Sequence, residues 1–405
     1  MSELPFKLSI ADSELELLKK KLELTRFPDE LEGAEWSYGA PLADVKRLVA
    51  KWKDGFDWRK SEASINSIPQ FTRDIEVGDG HGVLNVHYIH QKSEVDNAIP
   101  LLFVHGWPGH FLEVEKLLPI LTSAVPEQPS FHVVALSLPG FGFSEAPKKK
   151  GFSAKHYAEI GHKLMLALGY TEYVTQGGDW GYLITRKIQE QFPQHAKAWH
   201  TNFPRGSQAP SFLSHPILYL QHLLTPYTPH ERASLERKSW FWAEGRGYFQ
   251  IQSTKPQTVG YGLTDSPVGL LAWIYEKLHD WTDEYPWDDD EVLKWVSIYW
   301  FSRAGPAASL RIYYEVVASG EYKDTPNAAS RNPFGVSLFP KELTFAPSTW
   351  IQTLGNLVYE ARHDKGGHFA AHEQPEVLAD DLRKMFGKGG PAFGVVPGKS
   401  GYASS

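Results

Sequence analysis

Cysteine is absent from all 405 residues. That removes disulfide scaffolds, thiolate metal sites and cysteine nucleophiles together. A long block of like charge is also missing, as is any basic stripe. Forty-one Lys and Arg stand against 48 Asp and Glu, for a net charge of −7, so nucleic-acid binding lacks its electrostatic footprint. No apolar run approaches the ~20 residues of a membrane span. The opening Met-Ser-Glu-Leu-Pro-Phe-Lys has no apolar signal core, so a soluble, cytoplasmic protein without a membrane anchor is expected. Self-similarity at solenoid or propeller periods is absent as well. What the chain has in quantity is apolar side chain, at 42%, and aromatic side chain, at 13% with 14 Trp. A chain of this length buries a large core without staples, and its aromatics are material for a cavity wall.

The first ninety residues read as helical and then β. Ser13 with Glu16 forms a capping box, followed by Leu15, Leu18 and Leu22 on one helical face, with Pro28 as the stop. A second helix carries Val45, Leu48, Val49 and Trp52 at i, i+3, i+4, i+7, and Gly55 suits its end. Residues 75–90 alternate around Gly78-Asp79-Gly80, the pattern of a hairpin. From about residue 98, short continuous apolar runs (99–104, 132–136 and 173–176) alternate with helical stretches. That rhythm argues a parallel sheet with helical crossovers. It stops near residue 205. From there to about 325 the chain is helix-rich and crowded with aromatics. Short strands at 335–338 and 356–359 and a helix at 375–386 resume the sheet pattern. The expected division is an N-terminal extension (1–90), an α/β core in two parts (91–204 and 326–388) and an inserted helical cap (205–325). A Gly-rich tail (389–405) reads as disordered.

The strongest chemical signal is Gly177-Gly178-Asp179-Trp180-Gly181, directly after the strand at 173–176. Its spacing is that of the nucleophile elbow, in which small flanking residues permit a strained strand-to-helix turn. Aspartate in the nucleophile slot attacks an sp³ carbon and forms an alkyl ester. The same five residues also read as a Gly-rich βα turn with an N-capping aspartate. His105-Gly106-Trp107-Pro108-Gly109 shifts that balance, because it follows the strand at 99–104, where an oxyanion loop belongs. The backbone N–H groups of Trp107 and Trp180 then converge on one carboxyl oxygen. Gly366-Gly367-His368-Phe369 lies on a late loop, the place of a general base. Chain order demands an acid between the insertion and His368. Glu342, after the strand at 335–338, is the choice, with Asp364 and Glu360 as alternatives. His372, four residues beyond His368, suggests a metal pair, but no third ligand stands at a telling spacing, so no metal is assigned.

His-Gly-Trp-Pro-Gly, Gly-Gly-Asp-Trp-Gly and Gly366-Gly-His-Phe-Ala-Ala371 together resemble the epoxide hydrolases of the α/β-hydrolase fold. The likeness is greatest to the microsomal type and its soluble fungal members, and it covers nearly the whole chain. Phe56-Asp-Trp-Arg59 through Phe71 is similar to the family's N-terminal segment. Ser253-Thr-Lys-Pro256 through Ser266-Pro-Val-Gly-Leu270 is similar to its cap.

The resemblance implies an α/β-hydrolase fold with a cap and an N-terminal extension, and hydrolysis of epoxides to vicinal diols. It implies no cofactor and no partner beyond a small epoxide and water, with detoxification or aromatic-hydrocarbon catabolism as the setting. It adds two cap tyrosines that hold the epoxide oxygen, matched here by Tyr248 and by Tyr313, with the adjacent Tyr314 as the alternative register. It assigns the acid to Glu342. The 1–90 segment is expected to wrap the core or to mediate a homodimer, the latter by analogy. Two rival readings remain: a dehalogenase, which shares the aspartate elbow, and a ligand-binding protein with a relic pocket.

Overall fold

The computed structural model describes residues 3–323, 331–344 and 346–403. Nine strands form one sheet: β1 (Leu4–Pro5), β2 (Gln70–Val77), β3 (Gly82–Gln91), β4 (Ile99–Val104), β5 (Phe131–Leu136), β6 (Tyr173–Gly177), β7 (Ala196–Thr201), β8 (Pro333–Leu338) and β9 (Asn356–Arg362). Their order across the sheet is β1-β2-β3-β5-β4-β6-β7-β8-β9. The first three pair antiparallel, β3 meets β5 antiparallel, and every pairing from β5 onward is parallel. The cause is visible in β4 and β5, where every residue is buried. Strands covered by helices on both faces carry unbroken apolar runs. The fold is the expected mostly parallel α/β sheet.

β2 and β3 form the hairpin read around Gly78-Asp79-Gly80, with Val77 opposite Gly82. The helix Leu42–Asp54 buries Val45, Leu48, Val49 and Trp52, the four residues of its apolar stripe. It faces the inserted helices, to which Lys51 pairs through Asp290 at 2.9 Å and Arg47 through Asp289. Between β7 and β8 the chain leaves the sheet and runs through helices from Pro216 to Ala318. Among the described residues no helix is long and apolar enough to cross a membrane.

Two local expectations are corrected, and one strand is added that the sequence does not signal. The first helix spans Asp12–Glu23 with Ala11 at its N-cap and no side-chain cap, so Ser13 and Glu16 form no capping box. Asp12 and Glu14 in the first turn complement the helix dipole instead, and Asp12 is held by Arg59. Strand β7 goes unread in the sequence, because Ala196-Lys-Ala-Trp-His-Thr201 carries neither an apolar run nor a clean alternation. The tail after Gly387 is ordered against the body where it is described. Ala392 and Val396 are buried, Gly401 N–H donates to Asn97 O at 2.8 Å, and Ser130 N–H donates to Gly401 O at 2.7 Å. Its glycines serve turns, and its few apolar side chains find a surface to cover.

Candidate active site

The loops at the C-terminal ends of β4, β6, β8 and β9 meet beneath the inserted helices. Asp179 follows β6 and precedes the helix Trp180–Gln191. Its backbone lies at φ 50° and ψ −123°, a strained conformation for a residue with a Cβ, of order 1–3 kcal/mol. The strain is held by crowding. A Cβ on Gly181 would lie 1.8 Å from Val104 O, so only glycine lets this turn pack against β4. The turn lifts the Asp179 carboxylate out of the sheet.

The loop after β4, with a cis Trp107–Pro108 bond, meets that carboxylate from the side. Trp107 N–H donates to Asp179 Oδ1 at 2.8 Å, and the Trp180 amide bonds to the same side chain. The two N–H groups read from the sequence therefore share one carboxylate. Two residues of the inserted helices hold the loop. Trp295 Nε1 donates to Pro108 O at 2.7 Å and Tyr299 Oη to Gly109 O at 2.6 Å.

His368 stands on the other side, its Nε2 3.7 Å from Asp179 Oδ2. Its Nδ1–H donates to Glu342 Oε1 at 2.6 Å, with Glu342 buried just past β8. The two alternative acids lie elsewhere. Glu360 sits within β9, bonded to Ser348 and Arg362, and Asp364 is exposed. The loop that carries His368 is clamped as firmly as the loop that carries Trp107. His368 N–H donates to Trp281 O at 2.8 Å and Gly366 N–H to Asp283 Oδ2 at 2.9 Å. Glu373, which the sequence reading missed, accepts from Phe369 N–H and Asp283 N–H. His372 turns away and bonds to Glu291 at 2.8 Å.

The electrostatics follow from the geometry. Burial pulls the His368 imidazole down, but Glu342, Asp179 and Glu113 outweigh it and hold the pKa at about 9. Burial pushes the Asp179 carboxyl up, opposed by the His368 charge and the two amides. Tyr248 and Tyr313 face the carboxylate from the inserted helices. The Tyr248 ring stacks on Trp107 at 5.2 Å, and the Tyr313 ring stands edge-on to Trp180 at 4.7 Å. Burial is the largest cause that raises both phenols well above 10; the Asp179 charge comes next for Tyr248, and Tyr248 and then Asp179 for Tyr313, so both keep their protons at neutral pH. The Tyr313 hydroxyl is buried and meets no well-directed hydrogen-bond partner among the described residues. Tyr314 is only half-buried, outside the packed cluster.

Asp179 lines two small cavities. The first, about 40 Å³, has Tyr248, Tyr313, Phe203, Phe241, Trp242 and Phe249 on its wall. The second, about 10 Å³, lies behind the carboxylate beside His368, Glu113 and Asn202. The aromatics of the inserted helices divide: Phe241 and Trp242 line the first cavity, and Trp240 and Trp273 do not. Trp240 stacks under Arg237, and Trp273 donates to Gln252 at 3.0 Å. A roomier cleft of about 620 Å³, walled by Asp57, Lys60, Glu115 and Lys294 among others, has Trp295 on its wall but none of Asp179, His368, Glu342, Tyr248 and Tyr313.

Known proteins bear on this arrangement. The family model described as epoxide hydrolase N terminus matches residues 3–114, and that of the α/β hydrolase fold matches residues 99–217. A Stigmatella aurantiaca protein assigned to the epoxide hydrolases is 40% identical over 393 residues, covering 94% of this chain and 84% of its own. Epoxide hydrolase 1 of Sus scrofa is 36% identical over 407 residues, covering 95% and 88%. The structure of Aspergillus niger epoxide hydrolase superposes with a TM-score of 0.80 at 35% identity, over 94% of this chain and 95% of that one. The dehalogenase reading of the aspartate elbow gains nothing from these likenesses. With family models, relatives and solved structure in agreement, the chain belongs to the epoxide hydrolases of the α/β-hydrolase fold.

Proposed function

We propose that this epoxide hydrolase works through an ester on Asp179, with Tyr248 and Tyr313 as acids, His368 as base and Glu342 as the acid that orients it. The observation that carries the reading is that one carboxylate borders both cavities, phenols in front and imidazole behind. In front, the two neutral phenols donate to the epoxide oxygen while Asp179 attacks a ring carbon from the opposite side. The C–O bond breaks, and the alkoxide takes a proton from a phenol less basic than itself.

Esterification removes the negative charge of Asp179, one of the groups that keeps His368 protonated. The imidazolium then gives up its proton, which returns by way of solvent to the phenolate left by ring opening, and the neutral imidazole becomes a base. It takes a proton from water, whose oxygen adds to Asp179 Cγ, and the Trp107 and Trp180 amides carry the charge of the tetrahedral intermediate. Donors of that kind are worth ~3 kcal/mol each. Collapse returns the carboxylate and, with the proton from His368, releases the diol. No cofactor enters any step.

The front wall of Phe203, Phe241, Trp242 and Phe249 favours apolar, aryl-bearing epoxides. By analogy with the family, the reading includes a homodimer, open to sedimentation of the purified chain.

The test is diol formation from racemic styrene oxide by the parent and by Asp179→Ala, with single turnovers run in ¹⁸O-water. The parent forms diol and retains ¹⁸O in the Asp179 carboxyl, and the variant falls by about four orders of magnitude or more. Equal diol from both, or label found only in the diol, would overturn the ester.

A further inference from the structure

The mechanism above leaves one buried carboxyl in the heart of the site without a task. Glu113 lies in the turn after the oxyanion loop, and its side chain folds back over Gly109. A Cβ at Gly109 would lie 1.5 Å from Glu113 Oε1, so glycine at that position is what lets the carboxyl reach inward. Once there, it bonds to the backbone amides of Gly106 and His110. It shares the rear cavity with Asp179, His368 and Asn202. At about 10 Å³ that space suits about one water molecule, and a buried water needs two to four polar partners. Asn202 is committed elsewhere, accepting from Gln176 at 3.0 Å and donating to His368 O at 3.4 Å. Among the lining side chains, that leaves Glu113, His368 and Asp179 as the polar groups free to face this space.

We propose that Glu113 holds the nucleophilic water of the second step. The inference rests on the ester reading above and assigns a further catalytic residue within it. One hydrogen of the water goes to His368 Nε2 and the other to a Glu113 oxygen, so the oxygen lone pair is directed at Asp179 Cγ. Glu113 neither gains nor loses a proton over the cycle: the water proton passes to His368 and then to the departing alkoxide. The electrostatics suit the task. Burial pushes the Glu113 carboxyl up to about 8, more than the His368 charge pulls it down. At neutral pH it is mostly uncharged and sits beside Asp179 without like-charge repulsion.

The experiment compares Glu113→Leu and Glu113→Gln with the parent. Ester on Asp179 is followed by intact-mass measurement after rapid quench, beside diol release. Leucine keeps the bulk and removes the acceptor; glutamine keeps an acceptor oxygen. In Glu113→Leu the expected result is ester formation at the parent rate, hydrolysis slowed about tenfold or more, and ester accumulating. Glu113→Gln restores most of the lost rate. Equal slowing of both steps in Glu113→Leu would make Glu113 a mere brace of the oxyanion loop, and unchanged hydrolysis would remove it from the mechanism. Either result overturns the proposal. Absence of any ester from both the parent and a base-deficient His368→Gln variant is a different failure, since it sinks the ester reading itself.

Discussion

The two walls of the site solve opposite electrostatic problems. The core wall must keep charge in a buried place, and the cap wall must keep it out. On the core side, Asp179 and His368 remain useful only because amides, Glu342 and each other's charge offset burial. Geometry there is enforced by backbone, through a strained φ at Asp179 and a glycine that no other residue can replace. On the cap side no compensation is needed. Burial alone favours the neutral phenol, and the nearby carboxylate reinforces it. Rings packed on Trp107 and Trp180 set the geometry. A core built for charge is sensitive to pH and to single atoms, whereas a cap built for neutral donors is sensitive mainly to packing.

Three measurements test that contrast, the largest effect first. Replacing His368 by Gln removes the proposed base together with a charge that helps keep Asp179 ionised, so ring opening slows, but far less than hydrolysis. The ester then accumulates stoichiometrically while its hydrolysis falls by about three orders of magnitude, read by intact mass and diol release. Turnover that persists without trapped ester would show that the base lies elsewhere. Replacing Tyr248 and Tyr313 together by Phe blocks the other half-reaction. Ester formation drops by about two orders of magnitude and no intermediate builds up, whereas a variant that still forms ester at the parent rate would strip the cap of its chemical role.

The smallest effect is on stability. The His368 pKa is raised from 6.5 to about 9, so its contribution is full below pH 6.5 and is lost as pH rises through 9. The stability advantage of the parent over His368→Gln therefore shrinks by about 3 kcal/mol across that window, measured by urea unfolding at a series of pH values. The difference between the parent and Tyr248→Phe stays flat over the same range, because that phenol titrates well above 10. A slope in the tyrosine pair, or none in the histidine pair, would erase the distinction between the walls.

The sequence exposes the core wall more readily than the cap wall, for physical reasons. Doubly covered parallel strands leave continuous apolar runs, so β4, β5 and β6 stand out and the loops after them can be ordered. Strand-end logic is enough to prefer Glu342 to Glu360, which lies within β9. The cap tyrosines leave no such trace. Tyr248 and Tyr313 sit on helices where aromatic residues are common packing, and only family likeness selects them from 18 tyrosines. Strand β7 hides because lysine, histidine and threonine interrupt it. Glu113 hides because Phe111-Leu-Glu-Val114 is an ordinary apolar turn until tertiary structure folds the carboxyl back over Gly109. What a sequence shows directly is periodicity and local spacing; a carboxyl that turns inward over a glycine belongs to neither.

The hydrogen bonds from Trp295 and Tyr299 to the oxyanion loop, and from His368 and Gly366 to residues 281–283, bear on how such enzymes can be recombined. The inserted helices are not a lid laid over a finished machine. They supply part of the scaffold on which the core loops are set. Exchanging this cap for that of a relative would therefore disturb the alignment of Asp179 and His368, even in a chimera that keeps both residues. For grafting, the natural seam runs around Trp281–Asp283 and Trp295–Tyr299, which should travel with the core rather than with the transplanted helices.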